Sequence, residues 1–145
     1  MLRRNCFLMT ALFATAAGLS AGGFFLTIHE PDTRDGVLTV EAQGCHDYSQ
    51  ARITGHAEGI VNGKRQSVPL QLVAASKPGT YTVRKQWPTE GKWILVFDGA
   101  TGDRSTHTVV ELGPDGRLLP TAAASRGIRM TMNPLAQGEI EAALR

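Results

Sequence analysis

The chain has 145 residues, with 15 Lys and Arg residues against 13 Asp and Glu residues. Two of the basic residues are Arg3 and Arg4, so the rest of the chain balances 13 basic against 13 acidic residues. A balanced chain with interspersed charges lacks the basic surface that nucleic acid or anionic lipid requires, and the composition therefore argues against both as partners. The roughly 120 residues beyond the N-terminal segment suit one domain with a single core.

The N-terminal segment has the features of an export signal. Arg3 and Arg4 precede an uncharged run over residues 5–28, with an apolar centre at 6–13 and small residues after it. This order predicts a secretory signal helix over residues 1–23, cleaved between about Ala17 and Phe25, and a periplasmic or secreted protein. An uncleaved signal anchor is one alternative, because a run of this length can span a bilayer as a helix. A twin-arginine signal is another.

Short β-type segments alternate with turn residues from residue 36 onward. Asn62-Gly63 is the strongest hairpin signal, because both residues tolerate the positive φ of a type I′ turn. Pro69 cannot donate a ladder hydrogen bond, so its strand is expected at a sheet edge or at a bulge. Five apolar residues in a row at 93–97 predict a central strand covered on both faces. The predicted strands are residues 37–42, 51–61, 64–73, 80–87, 93–97, 105–112 and 117–119.

About seven antiparallel strands without a helical period predict an all-β domain over residues 36–120. The expected architecture is an immunoglobulin-like or transthyretin-like β-sandwich, with a closed barrel as the alternative. Residues 24–35 are expected to form a linker between the signal segment and this domain.

Residues 121–145 are expected to form a C-terminal tail. Ile128, Met130 and Met132 alternate as in an eighth strand, and Asn133-Pro134 is typical of the start of a short helix that ends at Leu144. The two methionines offer thioether sulfurs to copper(I), but their register with Ile128 favours core packing.

Three short segments carry a resemblance to a known group of domains. They are Gly79-Thr80-Tyr81-Thr82-Val83, Trp87-Pro88 and Gly91-Lys92-Trp93-Ile94-Leu95-Val96. Together they resemble the G-x-Y, x-P and G-x-W-x-L-x-V pattern of exported bacterial sandwich domains of the YtkA-like and FixH-type families. The resemblance extends over about residues 36–120. It implies a sandwich fold and a non-catalytic role. Some of these domains are associated with copper handling or with cytochrome oxidase assembly.

Catalytic motifs are not found in the sequence. It contains no Gly-x-Ser-x-Gly elbow, no His-Glu-x-x-His pair and no Gly-x-x-x-x-Gly-Lys phosphate loop. Asp98, Asp103, Ser105 and His107 lie close together and can be drawn as a hydrolytic group. We interpret them as residues in and beside a hairpin loop, where Asp and Ser are common. The sequence therefore predicts a protein without enzymatic activity.

Metal binding has more support than catalysis. Cys45 is the one cysteine outside the signal segment, and we interpret it as a small buried hydrophobe that forms no internal disulfide. An intermolecular disulfide or a metal ligand is the alternative. Cys45, His46 and His56 are candidate ligands for copper or zinc. His56 and Glu58 share one face of a strand, and we interpret them as a solvated surface pair.

Four aromatic side chains are expected in the core, although a platform for stacking sugars is the alternative. Trp87 has the best chance of exposure, because it lies beside Pro88 at a strand end. The four are Tyr81, Trp87, Trp93 and Phe97.

Together these features predict an exported, non-catalytic sandwich without a cofactor, which acts by binding a partner, most simply another protein. A membrane contact is expected only if the N-terminal segment is not cleaved. The alternative function is the handling of copper or zinc in the periplasm.

Overall fold

The structure is a computed structural model that describes residues 23–29, 36–44, 47–118, 128–131 and 136–145. These residues form nine strands and one helix. The helix is α1 (Gln137–Leu144), and the strands are β1 (Phe24–His29), β2 (Val37–Gly44), β3 (Arg52–Val61), β4 (Lys64–Pro69), β5 (Leu72–Ala74), β6 (Thr80–Arg84), β7 (Lys92–Thr101), β8 (Arg104–Glu111) and β9 (Ile128–Thr131).

The strands make two antiparallel sheets with a shared core between them. The four-stranded sheet has the order β1-β2-β6-β5, and the five-stranded sheet has the order β4-β3-β7-β8-β9. The prediction of an all-β sandwich is confirmed, with nine strands in the described residues instead of about seven.

The first strand lies in a segment that the sequence pattern assigns to a linker. β1 pairs with β2 along its whole length, from Phe24 opposite Gly44 to His29 opposite Thr39. Phe24, Leu26 and Ile28 are buried in the core, and the residues between them are more exposed. The prediction of a linker over residues 24–35 is therefore wrong for this part. The alternation was hidden because Phe24–Ile28 continues the uncharged run of the signal segment.

The predicted hairpin between β3 and β4 is confirmed. Asn62 and Gly63 have φ values of 50° and 72°, as a type I′ turn requires. The strand with Pro69 is an edge strand, again as predicted. The predicted strand at 64–73 is nevertheless two strands, because the chain leaves the five-stranded sheet after Pro69 and β5 joins the four-stranded sheet.

β7 is the central strand of the five-stranded sheet, and both of its faces are covered, as its apolar run predicts. Trp93, Leu95 and Phe97 face the sandwich core. Ile94 and Val96 face outward, where they form a second apolar cluster with Val109 of β8 and Ala143 and Leu144 of α1. Helix α1 therefore shields the outer face of this sheet.

Two glycines of β3 face the aromatic side chains of β7. Gly59 lies opposite Trp93, and Gly55 lies opposite Phe97. A Cβ atom at Gly59 would come within 2.4 Å of the Trp93 indole, and one at Gly55 within 2.8 Å of the Phe97 ring. The aromatic rings thus occupy the space that side chains on β3 would fill.

The C-terminal part agrees with the sequence pattern in outline. β9 pairs with β8, and α1 ends at Leu144. The helix begins at Gln137 after Ala136, so the predicted start at Asn133 is wrong; Met132, Asn133 and Pro134 lie outside the described residues. The predicted strand at 117–119 is reduced to an isolated bridge between Leu112 and Leu118. Within the described ranges, no helix has the length and apolar character needed to cross a membrane.

An ion pair links the turn before β6 to β2. The Lys77 ammonium donates a hydrogen bond to the Glu41 carboxylate, and this bond lowers the pKa of Glu41 below its ordinary value of 4.5. A lowered pKa in the folded state stabilises the fold above pH 4.5, and this contribution is lost as the pH falls through the folded-state pKa.

We therefore expect Lys77→Met to lower the free energy of unfolding at pH 7 by less than about 1 kcal/mol, since Lys77 is mostly exposed. Urea titrations at pH 7 and pH 3 measure the difference, which should shrink at pH 3. An equal loss at both pH values would contradict the role of the ion pair.

Candidate functional site

A cleft of about 230 Å³ opens at one end of the sandwich. Three separate segments meet there: the start of β2, the chain that follows β6 and the turn that follows β8. The cleft contains apolar surface, two cationic side chains and one carboxylate. Its lining residues are Gly36, Leu38, Lys85, Trp87, Asp115, Gly116 and Arg117.

The turn after β8 shapes one side of the cleft. The Gly116 N–H donates to the Gly113 carbonyl at 2.8 Å, and the Gly113 N–H donates to the Arg117 carbonyl at 2.8 Å. Asp115 Oδ1 accepts a bond from the Arg117 N–H at 3.1 Å. Gly116 has a φ of 74°, a conformation that glycine adopts without strain. The turn Gly113-Pro114-Asp115-Gly116 thus holds Gly116 at the mouth of the cleft.

Lys85 places a cation directly under this turn. Its backbone N–H donates to the Gly36 carbonyl at 3.1 Å, which fixes the chain beside the start of β2. The Lys85 Nζ atom lies 3.0 Å from the position that a Cβ atom at Gly116 would occupy. Across the described ranges, this ammonium forms no ion pair or hydrogen bond.

Trp87, which also lines the cleft, has a buried polar atom without a partner beside Gly116. Its side chain is only 5% exposed, and the indole Nε1 atom is buried with no hydrogen-bond acceptor in the described part of the chain. Nε1 lies 3.6 Å from the Cβ position at Gly116. A buried donor without an acceptor costs about 1–3 kcal/mol, so a partner for it would be stabilising. The expectation that Trp87 has the best chance of exposure is wrong, although the ring lines a cleft.

The cleft can therefore hold a group that accepts hydrogen bonds and carries negative charge. Lys85 and Arg117 supply two positive charges, and Asp115 offsets one of them. Leu38 and the Trp87 ring supply an apolar wall beside the donors.

The candidate metal ligands are placed differently. Cys45 and His46 lie outside the described residues, so their roles stay predictions. His56 is on the outer face of the five-stranded sheet, where its Nε2 atom lies 3.6 Å from Glu58 Oε1. The interpretation of a solvated pair is wrong for Glu58, which is buried and accepts a 2.9 Å bond from Arg65 Nε. In the part of the chain that the structure describes, no three metal-binding side chains form a cluster.

We expect Arg65→Met to lower the free energy of unfolding by about 1–3 kcal/mol, because the buried Glu58 carboxylate would lose its guanidinium. Urea unfolding measures the loss. Glu58→Gln should reduce the cost of Arg65→Met, since no charge is then left unpaired. Glu141→Gln is the control: Glu141 is more exposed and lies 3.7 Å from Arg65, so its loss should cost less than about 0.5 kcal/mol. Equal costs in both backgrounds would contradict this account.

The candidate hydrolytic residues do not all lie in a loop. They are Asp98, Asp103, Ser105 and His107. β7 continues to Thr101, and Asp98 lies in this strand opposite His107 of β8. Asp98 Oδ1 and His107 Nδ1 are 2.5 Å apart. His107 Nε2 is buried and finds no hydrogen-bond partner within the described ranges. The loop interpretation is therefore wrong for Asp98, and it holds for Asp103 in the turn between β7 and β8.

The other aromatic residues lie where the sequence pattern predicts them. Trp93 and Phe97 are core residues, and Tyr81 packs against the core with its hydroxyl donating to the Ala51 carbonyl at 3.1 Å. The sequence pattern does not predict Lys85, Gly116 or Arg117 as site residues. Their one local signal is the Gly-Pro-Asp-Gly turn followed by a basic residue, which by itself is typical of any surface turn.

Comparison with known proteins adds no functional assignment to this geometry. The chain matches no protein-family model, no curated protein and no solved structure. The resemblance to the YtkA-like and FixH-type domains therefore stays a prediction, and the function must be argued from the cleft itself.

Proposed function

We propose that the chain is an exported, non-catalytic immunoglobulin-like sandwich that acts by binding a ligand group in the cleft at its end. The observation that supports this most is the Trp87 indole N–H, which is buried at the cleft without an acceptor. Buried donors in folded proteins nearly always have a partner. A bound group that accepts this hydrogen bond accounts for the donor.

The chemistry of the cleft favours binding over catalysis. Its polar groups are two cations, one indole donor and a carboxylate that accepts a bond within its own turn. A lining of this kind holds and orients a ligand, because acyl transfer or hydrolysis also needs a nucleophile with an adjacent base. The Asp98 and His107 pair lies on β7 and β8, outside the cleft lining.

The two tryptophans allow a direct test of binding at this site. The Trp93 indole N–H already donates to the Glu90 carbonyl at 2.7 Å, whereas that of Trp87 has no acceptor. In ¹H–¹⁵N NMR spectra, a library of small polar fragments should contain binders that shift the Trp87 indole resonance and leave that of Trp93 in place. Trp87→Phe keeps a ring but removes the donor, and it should weaken these binders. If all binders act elsewhere on the protein, the proposal is wrong.

Export is the second part of the proposal. The buried position of Phe24 in β1 supports a cleavage site before this residue, because a later cut would remove a core side chain. We expect mass spectrometry of the protein recovered from the periplasm to show an N-terminus between about Ala17 and Phe24. An intact Met1 in a membrane fraction would instead support the signal anchor.

A further inference from the structure

We propose that the group bound in the cleft is a single carboxylate, held between Lys85 Nζ and Trp87 Nε1 beneath Gly116. This inference rests on the proposed function and assigns the chemical class of its ligand.

The two donors lie beside the same glycine. Lys85 Nζ and Trp87 Nε1 are 3.0 Å and 3.6 Å from the position that a Cβ atom on Gly116 would take. Because Gly116 has no side chain, no side chain at this position covers the two nitrogens. A carboxylate has two acceptor oxygens, and it can take one bond from each nitrogen. The bond from the ammonium would be charge-assisted and therefore the stronger of the two.

The balance of charge favours an anion with one charge over one with two. Lys85 and Arg117 carry positive charge, and the Asp115 carboxylate in the same lining cancels one of these charges. A phosphate dianion would leave the cleft with an excess of negative charge. One carboxylate leaves the cleft neutral.

The apolar wall indicates what is attached to the carboxylate. Leu38 is buried, and the Trp87 ring lies beside it at the cleft. An aliphatic group next to the carboxylate would cover this surface. A volume of about 230 Å³ suits a small acid or the last residue of a peptide with a free carboxyl end. Both kinds of ligand present a carboxylate next to an aliphatic group, and the probes below distinguish between them.

The experiment compares five probes by isothermal titration calorimetry and by the Trp87 indole resonance. They are 3-methylbutanoate, its neutral amide, inorganic phosphate, and acetyl-Ala-Ala-Val with a free or an amidated carboxyl end. We expect 3-methylbutanoate to bind at least about 10-fold more tightly than the amide and to shift the Trp87 resonance. Tighter binding of the free-acid peptide than of 3-methylbutanoate would identify a chain terminus as the source, and the reverse order would identify a small acid.

Substitutions of Lys85 and Gly116 test the site, and each is paired with a control substitution elsewhere. Lys85→Met should weaken 3-methylbutanoate by about 10-fold or more, and Lys64→Met on the exposed start of β4 should not. Gly116→Ala places a methyl group between the donors and should weaken binding similarly. Gly63→Ala has nearly the same backbone strain, with a φ of 72°, but no atom lies near its Cβ position. It should therefore bind as the unmodified protein does.

The outcomes distinguish this inference from the proposed function. Equal binding of the acid and the amide, with the Trp87 resonance shifted by both, would overturn the carboxylate assignment and leave the binding cleft in place. Tighter binding of phosphate would do the same. If none of the probes, and no fragment of the earlier library, shifts the Trp87 resonance, both proposals fail.

Discussion

Trp93→Ala is expected to lower the free energy of unfolding by about 3–5 kcal/mol. Trp93 is only 3% exposed, and its ring fills the space over Gly59 in the core. The substitution removes this buried surface and leaves a cavity bordered by a residue without a side chain. It also removes the hydrogen bond to the Glu90 carbonyl. Denaturant unfolding at equilibrium measures the loss.

Val73→Ala is the control for this prediction. Val73 lies in the short edge strand β5 and is 64% exposed, so its truncation should change the free energy of unfolding by less than about 0.5 kcal/mol. A loss of under about 1 kcal/mol for Trp93→Ala would place Trp93 at the surface, and the register of β7 would be wrong.

Gly59→Ala is expected to destabilise the fold through overpacking, although it adds only one methyl group. The new Cβ atom would lie 2.4 Å from two atoms of the Trp93 ring, and a buried ring cannot move away without disturbing its neighbours. We expect a loss of about 1–3 kcal/mol or more. Gly138→Ala in α1 is the control, because no atom lies near its Cβ position and alanine favours a helix. Its effect should be neutral or stabilising.

A double-mutant cycle tests whether the two residues act through the same space. In the Trp93→Ala background, Gly59→Ala should cost little, because the methyl group enters the cavity that the indole has left. The measured coupling should be about 1–3 kcal/mol. Additive costs would show that Gly59 is needed for a reason other than its contact with Trp93.

The pairing of Gly59 with Trp93 shows how far the sequence pattern could be taken. The pattern in residues 51–61 correctly predicts a strand, which the structure shows as β3. The run at 93–97 correctly predicts a central strand. Neither pattern predicts the register between the two strands. That register depends on how large and small side chains fit together across the strands. Glycine on one strand facing an aromatic ring on its neighbour is a property of the pair.

The cleft was harder to predict for a related reason. Gly36, Lys85 and Gly116 are far apart in sequence, and each is an ordinary residue at the end of a strand or in a turn. Trp87 is typical of a core residue by itself, and it becomes a candidate binding residue only because no acceptor lies beside its buried N–H. A missing hydrogen-bond acceptor is seen only in the three-dimensional structure, because it does not change the pattern of apolar and polar residues in the sequence. The burial of Glu58 was missed for the same reason, because its carboxylate is paired with Arg65 of the neighbouring strand.

The antiparallel pairing of β1 with β2 places Phe24 and the cleft at opposite ends of the sandwich. Phe24 lies opposite Gly44, at the end of β2 remote from Gly36 and the cleft. Seven steps along a strand separate these two ends by about 24 Å. A chain that stays attached to a membrane through its N-terminal segment would thus present the cleft to the aqueous side. A chain cleaved just before Phe24 would begin at the end of the sandwich remote from the cleft. An affinity tag or a fused domain attached there would leave the cleft accessible to a ligand.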